Sequence, residues 1–118
     1  MNSPDESLTL ISAGKVQGTP VYSEHAEELG EIYDVMLNKR TGKIAYAVLT
    51  FGGVLGLGKN YVPLPWELLS YVPDVGGYVI AVPKEALEKG PTLGEQAEWH
   101  PDVGEMIETY YEIYAKPH

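Results

Sequence analysis

A chain of 118 residues that is 44 % hydrophobic and 21 % charged can bury one modest core without metal or disulfide staples. Its 17 acidic against 8 basic residues leave a net charge of −9. That charge opposes direct binding to nucleic acid or anionic lipid, because such affinity rests on Lys and Arg displacing counterions. The lack of cysteine excludes disulfides, Cys-based metal sites and thiol catalysis.

Met1 to Ser7 is polar, with neither a basic n-region nor an apolar h-region. We expect a frayed end there and no signal peptide. No apolar run approaches the roughly 18 residues that mark a membrane-spanning helix. The expectation is a cytoplasmic protein without membrane insertion.

Leu8 to Ser12 reads as a short strand, Gly14 and Gly18 as turns, and Pro20-Val21-Tyr22 as a second extended piece. Ser23 to Glu28 is a polar connector with room for one helical turn. From Gly30 to Asn38, Ile32, Asp34 and Met36 alternate with Tyr33, Val35 and Leu37. Both faces are mostly apolar, so this strand should be covered on each side, with Asp34 near a rim or edge. Asn38-Lys39-Arg40-Thr41-Gly42 signals a hairpin, Gly42 taking the positive-φ position. The partner strand runs from Lys43 to Phe51, and Gly52-Gly53 ends it.

Asn60 to Leu64 resumes as a strand, in which Pro63 demands an edge or rim because it offers no ladder donor. Pro65-Trp66-Glu67-Leu68-Leu69 reads as a helical turn opened by proline. Tyr78 to Val82 reads as a last buried strand, and Glu85 to Glu88 as a brief helix or turn stopped by Gly90-Pro91. After a linker from Gly90 to Glu98, Asp102-Val103-Gly104-Glu105 carries a capping-box pattern. Val103, Ile107, Tyr110 and Tyr114 then recur at helical spacing, flanked by Met106 and Ile113, which predicts an amphipathic helix from Val103 to Ala115. Short strands between Gly and Pro turns, with helix kept largely to the end, point to a mainly β small barrel whose closure would remove exposed edges.

Gly30-Glu31-Ile32 with its strand, Gly42 to Val48, Phe51-Gly52-Gly53 and Val62-Pro63-Leu64-Pro65-Trp66 occur in an order and spacing that resembles the PRC-barrel family. The likeness covers about Leu8 to Leu93, with Gly30, Gly42, Gly52, Gly53, Pro65 and Trp66 as its fold-defining positions. It divides the chain into a polar N-terminus (1–7), the domain (8–93), and a linker with C-terminal helix (94–118). What the resemblance implies is a small β-barrel. In that family such a barrel forms the cytoplasmic domain of the photosynthetic reaction-centre H subunit and the C-terminal domain of a ribosome-maturation factor that binds a ribosomal protein. The present chain has neither the transmembrane helix of the first nor the N-terminal barrel of the second, so it is nearest to the stand-alone bacterial and archaeal members. The family brings no catalytic residues.

Gly53 to Lys59 matches GxxxxGK, the start of a phosphate-binding loop. Such a loop needs a following helix and a Ser or Thr hydroxyl. Here Asn60 stands in the hydroxyl position, and two prolines follow in Tyr61 to Pro65, so a glycine-rich corner is the expectation. His25, His100 and His118 show no metal-ligand spacing. Glu31 and Asp34 point to opposite faces of their strand, and no GxSxG elbow surrounds Ser12, Ser23 or Ser70. No catalytic, cofactor or metal residue is assigned, and the chain is expected not to be an enzyme.

The remaining candidates form an aromatic group around the last helix: Trp99, Met106, Tyr110, Tyr111 and Tyr114. Such residues supply large contact area with a polar handle at interfaces. The plainer alternative is that the helix packs its own stripe onto its own barrel and leaves Tyr111 outside. The functional expectation is a non-catalytic protein-binding or scaffolding module acting as a homodimer, with an unidentified and basic protein as a further partner. Two alternatives stand beside it. One is a small-ligand carrier at the barrel mouth near Gly52 to Gly58. The other is an accessory of ribosome or RNA-processing assembly acting through a basic protein.

Overall fold

The computed structural model describes residues 10–52, 59–93 and 102–114. A one-turn helix α1 (Ala13–Val16) leads into strand β1 (Pro20–Ser23), and Val16 is its buried residue. Residues 10–12, expected as part of a strand, precede that helix without joining the sheet. Leu10 and Ile11 are exposed, so no apolar face holds them in an extended pairing.

The β1–β2 connection is a turn tied by Ser23, whose Oγ accepts from the amides of His25 (3.1 Å) and Glu27 (3.2 Å). Ala26 there takes φ 66°, which replaces the helical turn expected in this connector. Strand β2 (Glu28–Leu37) therefore begins two residues earlier than the sequence suggested. Asp34 sits half-buried beside a register shift in β2 and accepts from Gln17 Nε2 (3.1 Å) and its neighbour Val35 N (2.9 Å).

Strand β3 (Ile44–Gly52) is the centre of the fold, and every described side chain from Tyr46 to Phe51 is buried. Gly30 of β2 pairs opposite Phe51, and a Cβ at Gly30 would overlap the carbonyl oxygen of Thr50. Only glycine permits that approach of two strands. The β2–β3 hairpin follows its turn chemistry. Asn38 Oδ1 accepts from Arg40 N (2.9 Å) and Thr41 N (3.1 Å), and Gly42 adopts φ 79°.

Strand β4 (Lys59–Leu64) pairs with β3, Val48 opposite Pro63. Its edge place in the sheet meets the demand made by Pro63. Pro65 precedes a 3₁₀ turn (Trp66–Leu68) rather than opening a helix, with Leu68 N bonding Pro65 O at 3.1 Å. Strand β5 (Ser70–Val72), absent from the sequence reading, and β6 (Gly77–Ile80) follow, then helix α2 (Lys84–Lys89) capped by Gly90.

One mixed sheet results, in the order β4-β3-β2-β1-β6-β5, with β1 and β6 parallel and the other pairs antiparallel. The class is mainly β, but the ladder does not close: β4 and β5 remain the two ends. Edge protection comes instead from shortness and cover. β5 is three residues long, and β4 receives a bridge from Leu93, whose amide bonds Tyr61 O at 2.7 Å. Helix α3 (Asp102–Tyr110) packs beside β4, ending in a 3₁₀ turn (Glu112–Tyr114). Asp102 is the first residue of α3 rather than the residue before it, and regular helix stops at Tyr110 rather than Ala115.

Candidate interaction surface

Helix α3 presents two chemistries. Ile107 and Tyr111 are each 1 % exposed and belong to the core, with Val103 and Tyr114 packed against it. The inward row is thus 103, 107, 111 and 114. Tyr111 takes the place that the sequence reading gave to Tyr110, and its removal from the surface corrects its assignment as an interaction residue. Burial pushes its phenol well above the ordinary tyrosine range, with Tyr110 and Tyr114 adding to the effect. Its hydroxyl is buried with no hydrogen-bond partner, as is that of Tyr46.

Tyr110 lies at the margin. Its ring meets that of Tyr111 edge-on at 4.7 Å, and its hydroxyl donates to Ala86 O of α2 at 2.9 Å. It clamps α3 to α2 while remaining 37 % exposed. Met106, one turn earlier on the same side, is 44 % exposed, and Ile113 in the following turn is 81 % exposed. Glu105, Glu108 and Glu112 are exposed along the same segment. Ile113, which helical spacing places at the flank of the stripe, is the most exposed large apolar side chain of the segment. Trp99 lies outside the described residues.

A second apolar feature sits at the β2–β3 hairpin. Met36, Leu37, Ala45 and Tyr46 line a groove of about 540 Å³, bordered by Lys39 and Arg40. Leu37 is 54 % exposed. Three of the chain's eight cations, Lys39, Arg40 and Lys43, fall within five positions here. Among the described residues none of the three forms a salt bridge, whereas Lys84 pairs with Glu27 at 3.6 Å elsewhere on the surface. The signal for this cluster was present in the sequence, but hairpin turn chemistry accounted for the same residues.

Other sites carry less. A shallow cavity of about 300 Å³ between the β1–β2 turn and α2 is lined by His25, Glu27 and Lys84 among others. Among the described residues no group of three or more His, Cys, Asp or Glu side chains is placed to hold a metal. His100 and His118 lie outside those residues, as do Gly53 to Gly58 and the ligand-carrier mouth expected near them. Lys59, the last residue of the GxxxxGK match, opens a strand, whereas phosphate binding would need a helix there. Trp66, half-buried, meets Tyr78 edge-on at 5.7 Å in a packing role.

The PRC-barrel domain profile matches residues 9–87. The chain belongs to the PRC-barrel domain family. The matched span holds α1, all six strands and most of α2, and leaves α3 beyond the PRC-barrel region. Among solved structures, a 16S ribosomal RNA processing protein, RimM, from Pseudomonas aeruginosa is similar at 17 % identity with a TM-score of 0.44. The similarity covers 70 % of this chain and 50 % of that one, so the chain spans about half the length of that protein. No curated protein matches. No described helix is long and apolar enough to cross a membrane.

Proposed function

We propose that this PRC-barrel protein is a non-catalytic binding or scaffolding module that self-associates as a homodimer through the outer face of α3 and its following turn. One observation carries the reading: a segment outside the matched domain buries one side and leaves Met106 and Ile113 exposed on the other. Exposed apolar side chains rimmed by polar groups mark interaction sites when they gather in one place. Burying Ile107 and Tyr111 already anchors the segment, so its outer apolar residues are available for a second contact.

The test compares the native chain with Met106→Ser/Ile113→Ser in analytical ultracentrifugation and in protein capture from a lysate. Both positions are exposed, so the variant should keep its far-UV circular dichroism while losing the dimer and, with it, the concentration-dependent part of its melting temperature. If native and variant chains sediment alike and capture the same proteins, the helix face has no binding role.

A further inference from the structure

We propose that the occupant of the basic β2–β3 hairpin groove is a second copy of this chain, which seats its own acidic α3 face there. The inference rests on the α3-face reading above and names the opposite surface. The two surfaces match in both polarity and charge. The groove offers Met36, Leu37 and Ala45 with Lys39 and Arg40, and Lys43 is exposed just after the same turn. The helix face offers Met106 and Ile113 with Glu105, Glu108 and Glu112.

Charge decides between this contact and the simplest rival. Packing α3 against α3 of another copy would set three carboxylates near three carboxylates, and like charges juxtaposed at an interface cost several kcal/mol. Setting the same carboxylates near the hairpin cations reverses that sign. The groove is equally poor for nucleic acid, because three cations on a chain of net charge −9 give little counterion release. Leu37 and Ile113, exposed at 54 % and 81 %, would both leave water. Because groove and helix face are different surfaces, a two-fold dimer forms the contact twice, and a head-to-tail arrangement grows larger species.

A charge swap in the full chain tests it by sedimentation velocity over a micromolar concentration series. Lys39→Glu/Arg40→Glu alone and Glu105→Lys/Glu108→Lys alone should each weaken self-association about tenfold or more, since close interfacial charge pairs are worth over 1.4 kcal/mol. Mixing the two variants should restore it, because every hairpin then faces an oppositely charged helix. All four positions are exposed, and circular dichroism checks that each variant folds. A native dimer that is lost in Met106→Ser/Ile113→Ser but untouched by the hairpin reversal overturns this contact and leaves the helix-face reading standing. Failure of the mixture to reassociate also overturns it, as does a hairpin reversal that abolishes binding to an oligonucleotide without changing sedimentation. A native chain that stays monomeric overturns both the contact and the homodimer.

Discussion

Tyr111 shows how a single side chain can be placed by packing against what its sequence neighbours suggest. From Val103 and Ile107 the next inward position is either three or four residues on, and both candidates are tyrosine. Helical periodicity tolerates either choice. The structure turns Tyr111 into the core and uses Tyr110 as a clamp on Ala86. Because the buried Tyr111 hydroxyl has no partner, its ring stabilises the fold while its oxygen adds little. Tyr111→Phe should therefore change stability by no more than about 1 kcal/mol, in the stabilising direction, since it removes an unsatisfied polar atom. Tyr111→Ala should cost about 3–5 kcal/mol through the cavity it leaves. Urea denaturation of the two variants separates these outcomes, and equal losses would mean that the hydroxyl is bonded in solution.

The elements divide by how local their causes are. The β2–β3 hairpin was legible because its turn is written in adjacent residues: Asn38 satisfies two amides, Gly42 N bonds Asn38 O at 2.7 Å, and Gly42 supplies the left-handed φ. Nothing lies within 4 Å of a Cβ built on Gly42, so Gly42→Ala meets backbone strain alone. The expected loss is about 1–2 kcal/mol with the sheet retained, readable as a lower melting temperature with unchanged far-UV dichroism. Strand β5 escaped notice for the opposite reason. Three residues with Tyr71 exposed carry no alternation strong enough to read, and only pairing with β6 makes them a strand. The capping-box pattern at Asp102 and the stripe after it announced α3, but the stripe continues to Tyr114 and so did not mark the change from regular helix at Tyr110 to the 3₁₀ turn Glu112–Tyr114.

At the scale of the whole molecule, the core is rich in buried phenols, and that sets a pH limit. Burial raises the phenols of Tyr46, Tyr78 and Tyr111 above the ordinary value of 10.0. Below that value tyrosine is protonated in both folded and unfolded chains, so the full contribution is present. Above it the unfolded chain ionises while the buried phenols do not, so the unfolded state binds fewer protons and stability falls as pH rises. Each such tyrosine steepens the fall by up to about 1.4 kcal/mol per pH unit until its own folded-state ionisation is reached. Denaturation midpoints should hold steady near neutrality and drop above about pH 10, less steeply in Tyr111→Phe. A midpoint independent of alkaline pH would show that these phenols ionise freely in the folded chain.

The amino-acid sequence by itself determined the domain family, the main strands and the hairpin turn, because these depend on sterics and hydrogen bonds among near neighbours. It also showed that a further amphipathic helix follows the domain. Only the tertiary structure decided that β1 lies parallel to β6, that the sheet ends at β4 and β5 without closing, and that Tyr111 goes inside. It alone set Lys39 and Arg40 beside an apolar groove. Each of these outcomes joins residues far apart in the chain, where the deciding energy is mutual burial, and no local pattern records which distant surfaces will meet.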